Sequence, residues 1–454
     1  MKKIIALLLM LVLVVTMMVG CGSNQQTNSE TSGQPTAKVS ESTTTAAAAT
    51  ASDEKIVIKV FHYMLQTTKQ GGLKALEEAY TKLNPNITFE NIFYNQGTDY
   101  FPQLSTALAS GELPEIIMGN PGLYPDVVAG GYAMDLTQNK VIKSLGLKPG
   151  DTGDVSANGV VYGFPIDFKT WGVFYNVKMF KDLGLSVPTT QTELMNVCKK
   201  IADAGKDPWI HAFGDAVFGD IEMRNTVWGR AIENGDIDFF EKLMTGKAKF
   251  TDYPYVLEGL KVWQQRMQWY RSDAMANNQS KSLELFVAGE GAMLYNGSWS
   301  IGDLMAKAGK DFKFDFFLAP VDDKPNSTLM GSQIDQSFMV NPKAENADAA
   351  LAFMEFWITD GALVWSNTSL MPLASGASSD DLPAVVNSIS AIKKSGKVAC
   401  YGDFTKPFSS EFTTKWRQAL TEFAESCVTG GKMTPEKCLE NLQAYFDDVI
   451  ATSK

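Results

Sequence analysis

Residues 163–182, GFPIDFKTWGVFYNVKMFKD, restrict the fold more than any other stretch of the chain. Phe164, Pro165 and Ile166 read as a strand. Asp167, Lys169 and Thr170 then interrupt it with polar groups, Trp171 follows, and a second apolar strand closes on Tyr175 and Asn176. Two strands in near-direct succession, with charge and an indole between them, leave two readings open. One is a single bent strand; the other is a crossing between two bodies that passes beside a site.

Upstream of this stretch the periodicity alternates. IVIKVFHY reads as a strand, and a helix follows with Leu73, Leu76, Tyr80 and Leu83 on one stripe and a stop at Asn84-Pro85. ITFENIFY is the next strand, then a helix over 104–109 and the short strand EIIMG. Strand–helix alternation of this kind predicts a parallel sheet covered on both faces. Ligands in such sheets bind beyond the carboxyl ends of the strands, which here are 63–66, 94–97 and 119–122.

Downstream, VPTTQTELMNVCKKIADAG predicts a helix with a threonine cap and Glu193 in its first turn. A strand is expected over 210–212, a helix over 223–233 carrying Trp228, and turn and hairpin material to residue 252. Asn234, Asp236 and Asp238 imitate calcium-loop spacing, but Phe239 stands where such a loop requires glycine, so a solvated turn is expected. A helix over 255–269 follows, then one ending at Phe286, a strand AMLYN, and Gly297-Ser298-Trp299 at its end. FDFFLAP is expected to be a second crossing strand, and 325–340 a hairpin broken by polar residues 331–335. From residue 347 the chain reads as almost wholly helical.

Lys2 and Lys3 precede an apolar run over 4–19 and then Gly20-Cys21, the layout of a secretory signal peptide. Met18, Val19, Gly20 and Cys21 resemble a bacterial lipobox, with Met18 replacing the commoner Leu; Cys21 would be diacylated and become the mature N-terminus. Residues 22–54 are Ser, Thr, Ala, Gln and Asn with few large apolar groups, so a disordered tether is expected. The formal net charge of −11 and the absence of a basic stripe argue against nucleic acid. Cys198, Cys400, Cys427 and Cys438 are expected as free, buried thiols rather than as a disulfide across the helical hairpin that Cys427 and Cys438 would flank. His62 and His211 have no partner spacing, so neither metal nor other cofactor is expected.

Pro165, Ile166, Asp167, then Gly172 to Asn176, Phe180 and Asp182 follow the signature of bacterial extracellular solute-binding proteins of family 1, the maltose-binding-protein-like type. LASGELPEIIM and the run Phe286, Gly289, Glu290, Ala292, Met293, Asn296, Gly297, Trp299 agree with it, so the resemblance covers essentially the whole chain. It implies an α/β fold of the type II periplasmic-binding-protein class, two α/β lobes joined by a multi-strand hinge with the ligand cleft between them. The lobes would be 55–165 plus 321–361 and 166–320 plus 362–454, after a signal peptide (1–20) and tether (21–54), with crossings near Ile166, Ala319 and Leu363. The resemblance further implies a monomeric lipoprotein at the extracellular face of the cell membrane. Such a protein captures a carbohydrate, most simply an oligosaccharide, and delivers it to the transmembrane subunits of an ABC importer.

Sugars present an apolar C–H face and a hydroxyl rim, so their sites combine flat aromatics with amides and carboxylates. Trp299, at a strand end and on the family's G-x-W position, is the foremost candidate. Trp171, Asp167 and Lys169 lie beside the crossing and compete with a salt-bridged bend. Trp228 competes with core packing. Gln66, Asn120, Gln333 and Asp335 lie in loops after or between apolar strands and compete with ordinary turn residues. Relatives place Trp or acidic residues where this chain has Gly119, Asn120, Pro121 and Gly122, which leaves the sugar open. Two other functions stand beside this one: the same fold taking a peptide, a polyamine or another small solute, and a surface glycosidase. No nucleophile elbow, zinc helix or localised acid pair supports the last.

Overall fold

The computed structural model describes residues 55–452 except 325, 326, 328 and 397. The expected signal peptide, the expected lipidation at Cys21 and the expected tether lie outside the described residues.

The strands are β1 (Ile56–His62), β2 (Ile87–Phe93), β3 (Ile116–Met118), β4 (Ser156–Ala157), β5 (Val160–Val161), β6 (Gly163–Pro165) and β7 (Phe168–Asn176). After them come β8 (Asp207–Ile210), β9 (Gly291–Gly297), β10 (Phe314–Phe317), β11 (Leu329–Ile334), β12 (Ser337–Val340) and β13 (Val398–Cys400). One sheet has the order β2-β1-β3-β12-β6, the second β13-β11-β7-β9-β8 with β10 also on β7, and β4 and β5 form a small ribbon.

In the first sheet β1, β2 and β3 run parallel, and β12 is antiparallel to both β3 and β6. Both faces are covered, as the apolar run of β3 requires: Ile116 and Met118 enter one core and Ile117 the opposite one. The helix Thr67–Leu83 buries Leu73, Leu76 and Tyr80, whereas Leu83, at its last turn, is 68% exposed and leaves the stripe. This helix lies close to the helix Ala362–Ser369 because Gly72 has no side chain: a Cβ there would stand 2.9 Å from the Trp365 ring.

In the second sheet β7 is the central strand. Val173 points into the larger core and Phe174 into the core shared with the first sheet. Its helices include Gln191–Asp203, started by a capping box in which Thr190 and Glu193 satisfy each other's backbone amides. Residues 239–244, expected as hairpin material, form the helix Phe239–Met244, because Phe239, Phe240 and Leu243 share one buried face.

The chain passes between the sheets three times. The first passage is Ile166–Asp167, between β6 and β7. The second is Asp335–Gln336, between β11 and β12, rather than near Ala319: β10 and β11 both pair with β7 in the second sheet, and β12 lies in the first, so β11 and β12 are not the hairpin expected over 325–340. The third falls at 371–374 rather than at Leu363, because the helix Ala362–Ser369 still packs on Thr67–Leu83. The three passages lie side by side as a ribbon. The amide of Ile166 donates to the carbonyl of Gln336 (3.0 Å) and that of Asp335 to Asp167 (3.1 Å). On the other side Phe168 donates to Pro372 (3.1 Å) and Ala374 to Ile166 (3.2 Å).

Candidate functional site

A cleft of about 930 Å³ opens beside the passages, where the carboxyl ends of β9 and β11 meet the amino end of β7. Gln66, Lys169, Trp171, Trp299, Gln333 and Asp335 all line it. Gln66 is the residue before the helix Thr67–Leu83, and Gln333 faces Lys169 across the β11–β7 register.

The two indoles come together through the β7–β9 pairing. Trp171 sits opposite Gly297, the last residue of β9, and Trp299 follows two residues later. Their rings meet edge to face, centroids 6.4 Å apart at 75°. Gly297 permits this, since a Cβ there would lie 2.0 Å from the Trp299 ring. Trp171 is buried to 7% exposure, and its Nε1 has no hydrogen-bond partner among the described residues. The loop between them is fixed from behind, where the amide of Thr170 donates to the Ser298 hydroxyl (3.2 Å).

Asp335 is the electrostatic centre of the crossing. Lys69 Nζ lies 2.6 Å from one carboxylate oxygen and Lys169 Nζ 3.2 Å from the other. Burial pushes its pKa up, but the two lysines outweigh burial and hold it well below the usual carboxylate range. Asp167 is different. It is fully buried behind the cleft, accepting from the Gln336 amide (2.9 Å) and Trp365 Nε1 (3.0 Å). Burial raises its pKa to about 7, opposed by Lys69 and assisted by Asp335. Trp228 is also fully buried, with Phe240 against its edge and Arg224 over its face at 4.3 Å. Asn120 lies on an adjoining arm of about 500 Å³ that shares Gln333 with the main cleft; its side chain accepts from the Gly122 amide (3.0 Å).

The cleft also holds groups that the sequence reading did not select. Lys69 stands one helical turn after Gln66, a spacing that places both at one helix start. Asp220 and Arg224 pair at i,i+4 on the helix Val217–Glu233, and Arg417 of the helix Ser410–Val428 reaches the same carboxylate. Gln279 starts another helix, its amide donating to Asp215 (2.7 Å). The i,i+4 pair is legible in the sequence; no local signal connects Arg417 to a carboxylate 197 positions away. Chemically the cleft is lined by two indoles, planar amides and charged groups, which suits capture of a polar, partly apolar solute.

The chain belongs to the family of bacterial extracellular solute-binding proteins, whose model matches residues 66–364. It is therefore a binding protein and not an enzyme. It is 21% identical over 327 residues to a multiple sugar-binding protein of Streptococcus mutans, covering 68% of this chain and 73% of that one. It is 26% identical over 269 residues to a maltooligosaccharide ABC transporter solute-binding lipoprotein of Streptococcus pneumoniae, covering 56% of this chain and 58% of that one. The solved structure of RafE in complex with raffinose superposes with a TM-score of 0.63 at 18% identity, over 87% of this chain and 100% of the other, which establishes the two-lobed type II fold.

Proposed function

We propose that this protein captures a carbohydrate, an oligosaccharide of a few units, and hands it to the transmembrane subunits of an ABC importer. The observation that carries the reading is the Trp171–Trp299 pair at the strand ends, facing amides and charges across a cleft formed at the passages. Relatives described as sugar-binding and maltooligosaccharide-binding support it. Trp299, Trp171, Gln66, Gln333, Lys169 and Asp335 are the proposed ligand contacts. Asn120 would serve a longer ligand in the adjoining arm, while Asp167 and Trp228 act from behind the wall by fixing the crossing and Arg224.

We assign the first lobe to 55–165 plus 336–370 and the second to 166–335 plus 371–452, following the sheets. The triple ribbon is the hinge about which they close, and the closed form is what the transporter recognises. Anchoring through a diacylated Cys21 at the extracellular face, with a monomeric binding unit, completes the proposal; a lipoprotein among the relatives supports it. A polyamine is disfavoured because Lys69, Lys169, Arg224, Lys307 and Arg417 outnumber the carboxylates in the cleft.

A ligand that binds only the folded state raises the melting temperature by mass action. A thermal-shift screen against a glycan panel should therefore find at least one saccharide that stabilises the protein. Trp299→Ala should weaken that saccharide by roughly tenfold or more while leaving the far-ultraviolet spectrum unchanged. A shift with peptides or polyamines alone would remove the carbohydrate reading.

A further inference from the structure

The cleft holds two clusters in which two cations share one carboxylate. At the crossing, Asp335 lies between Lys69 (2.6 Å) and Lys169 (3.2 Å) and also accepts from Gln336 Nε2 (2.8 Å). On the helices, fully buried Asp220 accepts from Arg224 Nη2 (2.7 Å), Arg417 Nε (2.8 Å) and Trp416 Nε1 (2.9 Å). The Asp220 cluster carries one positive charge beyond neutrality, whereas Lys69 and Lys169 at the crossing also act on the buried carboxyls of Asp167 and Asp154. The other charges of the cleft are Lys307, paired with Glu284 at 3.5 Å; Asp215, held by the Gln279 amide; and Asp303.

The free donors are placed for a ligand. Arg417 gives only Nε to Asp220, and its two Nη atoms have no hydrogen-bond partner among the described residues, while its side chain is 37% exposed. Lys169 is 25% exposed at the cleft. Asp215 and Asp303 balance the cleft as a whole, so the demand for an anion is local to the two Nη atoms of Arg417, to which a neutral sugar can offer hydrogen bonds but no opposite charge. The planar fork of Arg417 matches the two oxygens of a carboxylate.

We infer that the solute is an acidic oligosaccharide carrying a uronic carboxylate, received by Arg417 with Lys169 as the second positive contact. This inference rests on the carbohydrate reading and narrows it.

Calorimetric titration of the full chain with trigalacturonate, a sulfated disaccharide and neutral maltotriose tests it. Trigalacturonate should bind about tenfold or more tighter than maltotriose, with the advantage shrinking at high salt. Arg417→Gln should weaken trigalacturonate by about tenfold or more, and Arg417→Lys should restore part of the loss. Lys74→Gln, an exposed charge outside the cleft, should change nothing. Thermal unfolding of each variant separates binding loss from misfolding. Maltotriose binding as tightly as trigalacturonate would overturn the inference and leave the carbohydrate reading standing. Preference for the sulfated sugar would overturn the carboxylate assignment, and no binding to any saccharide would overturn both readings.

Discussion

Asp154 shows how burial can make a single residue sense pH. Its Oδ2 accepts from the amide of Ile334 (2.9 Å), and burial raises its pKa to about 7, partly offset by that bond. Below about pH 4 the carboxyl is protonated both folded and unfolded, so it contributes nothing to the pH dependence. Between about 4 and 7 the unfolded chain releases the proton while the folded protein keeps it, so stability falls as pH rises through that window. Asp154→Asn keeps an acceptor for Ile334 and cannot ionise. It should raise stability at pH 8 by on the order of 2–4 kcal/mol and flatten the fall between pH 4 and 7, read by urea unfolding across pH. At this scale, legibility followed the backbone. Trp299 was readable as a cleft-lining residue because it follows a strand end, whereas Gln333, expected in a loop, lines the cleft from within β11. Lys69 was not readable, since a lysine in a first helical turn ordinarily faces water and only the fold brings Asp335 against it.

At the scale of elements, the decisive unit is the ribbon of three passages. Its backbone hydrogen bonds join 166–168 to 335–336 on one side and to 372–374 on the other. The first passage was open in the sequence as either a bend or a crossing, and β6 and β7 belong to different sheets. The other two were misplaced by about 10 to 20 residues. β11 looks like half of a hairpin until its partners β7 and β13 are known, and pairing between strands so distant in sequence leaves no local periodic signal. Asp335 ties the ribbon to the helix Thr67–Leu83 through Lys69, whose side chain is 4% exposed. Asp335→Ala removes that cation's 2.6 Å partner and leaves the buried carboxyl of Asp167 as the opposite charge acting on it. The expected loss is about 3–5 kcal/mol of unfolding free energy, and a loss below 1 kcal/mol would show that water reaches the lysine freely.

For the whole molecule, the proposed closure requires a solute that touches both lobes, because only differential affinity moves a conformational equilibrium. Small-angle scattering with a saturating saccharide should show a smaller radius of gyration than without it; an unchanged radius would mean that binding and hinge motion are separate. The family, the two-lobed fold and the first passage between the sheets, at Ile166, were legible in the sequence because one signature spans the crossing. The acidic-sugar preference proposed above was not, because it is argued from Arg417 and Asp220 meeting across 197 positions. The strand order β2-β1-β3-β12-β6 has a further consequence for how such a chain is made. β12 fills the gap between β3 and β6, so a growing or truncated chain that stops short of Val340 leaves the middle of its first sheet missing, with two unsatisfied strand edges facing each other. The first lobe to be synthesised is thus completed late, and a holding factor that binds open strand edges would be needed most before residue 340 emerges.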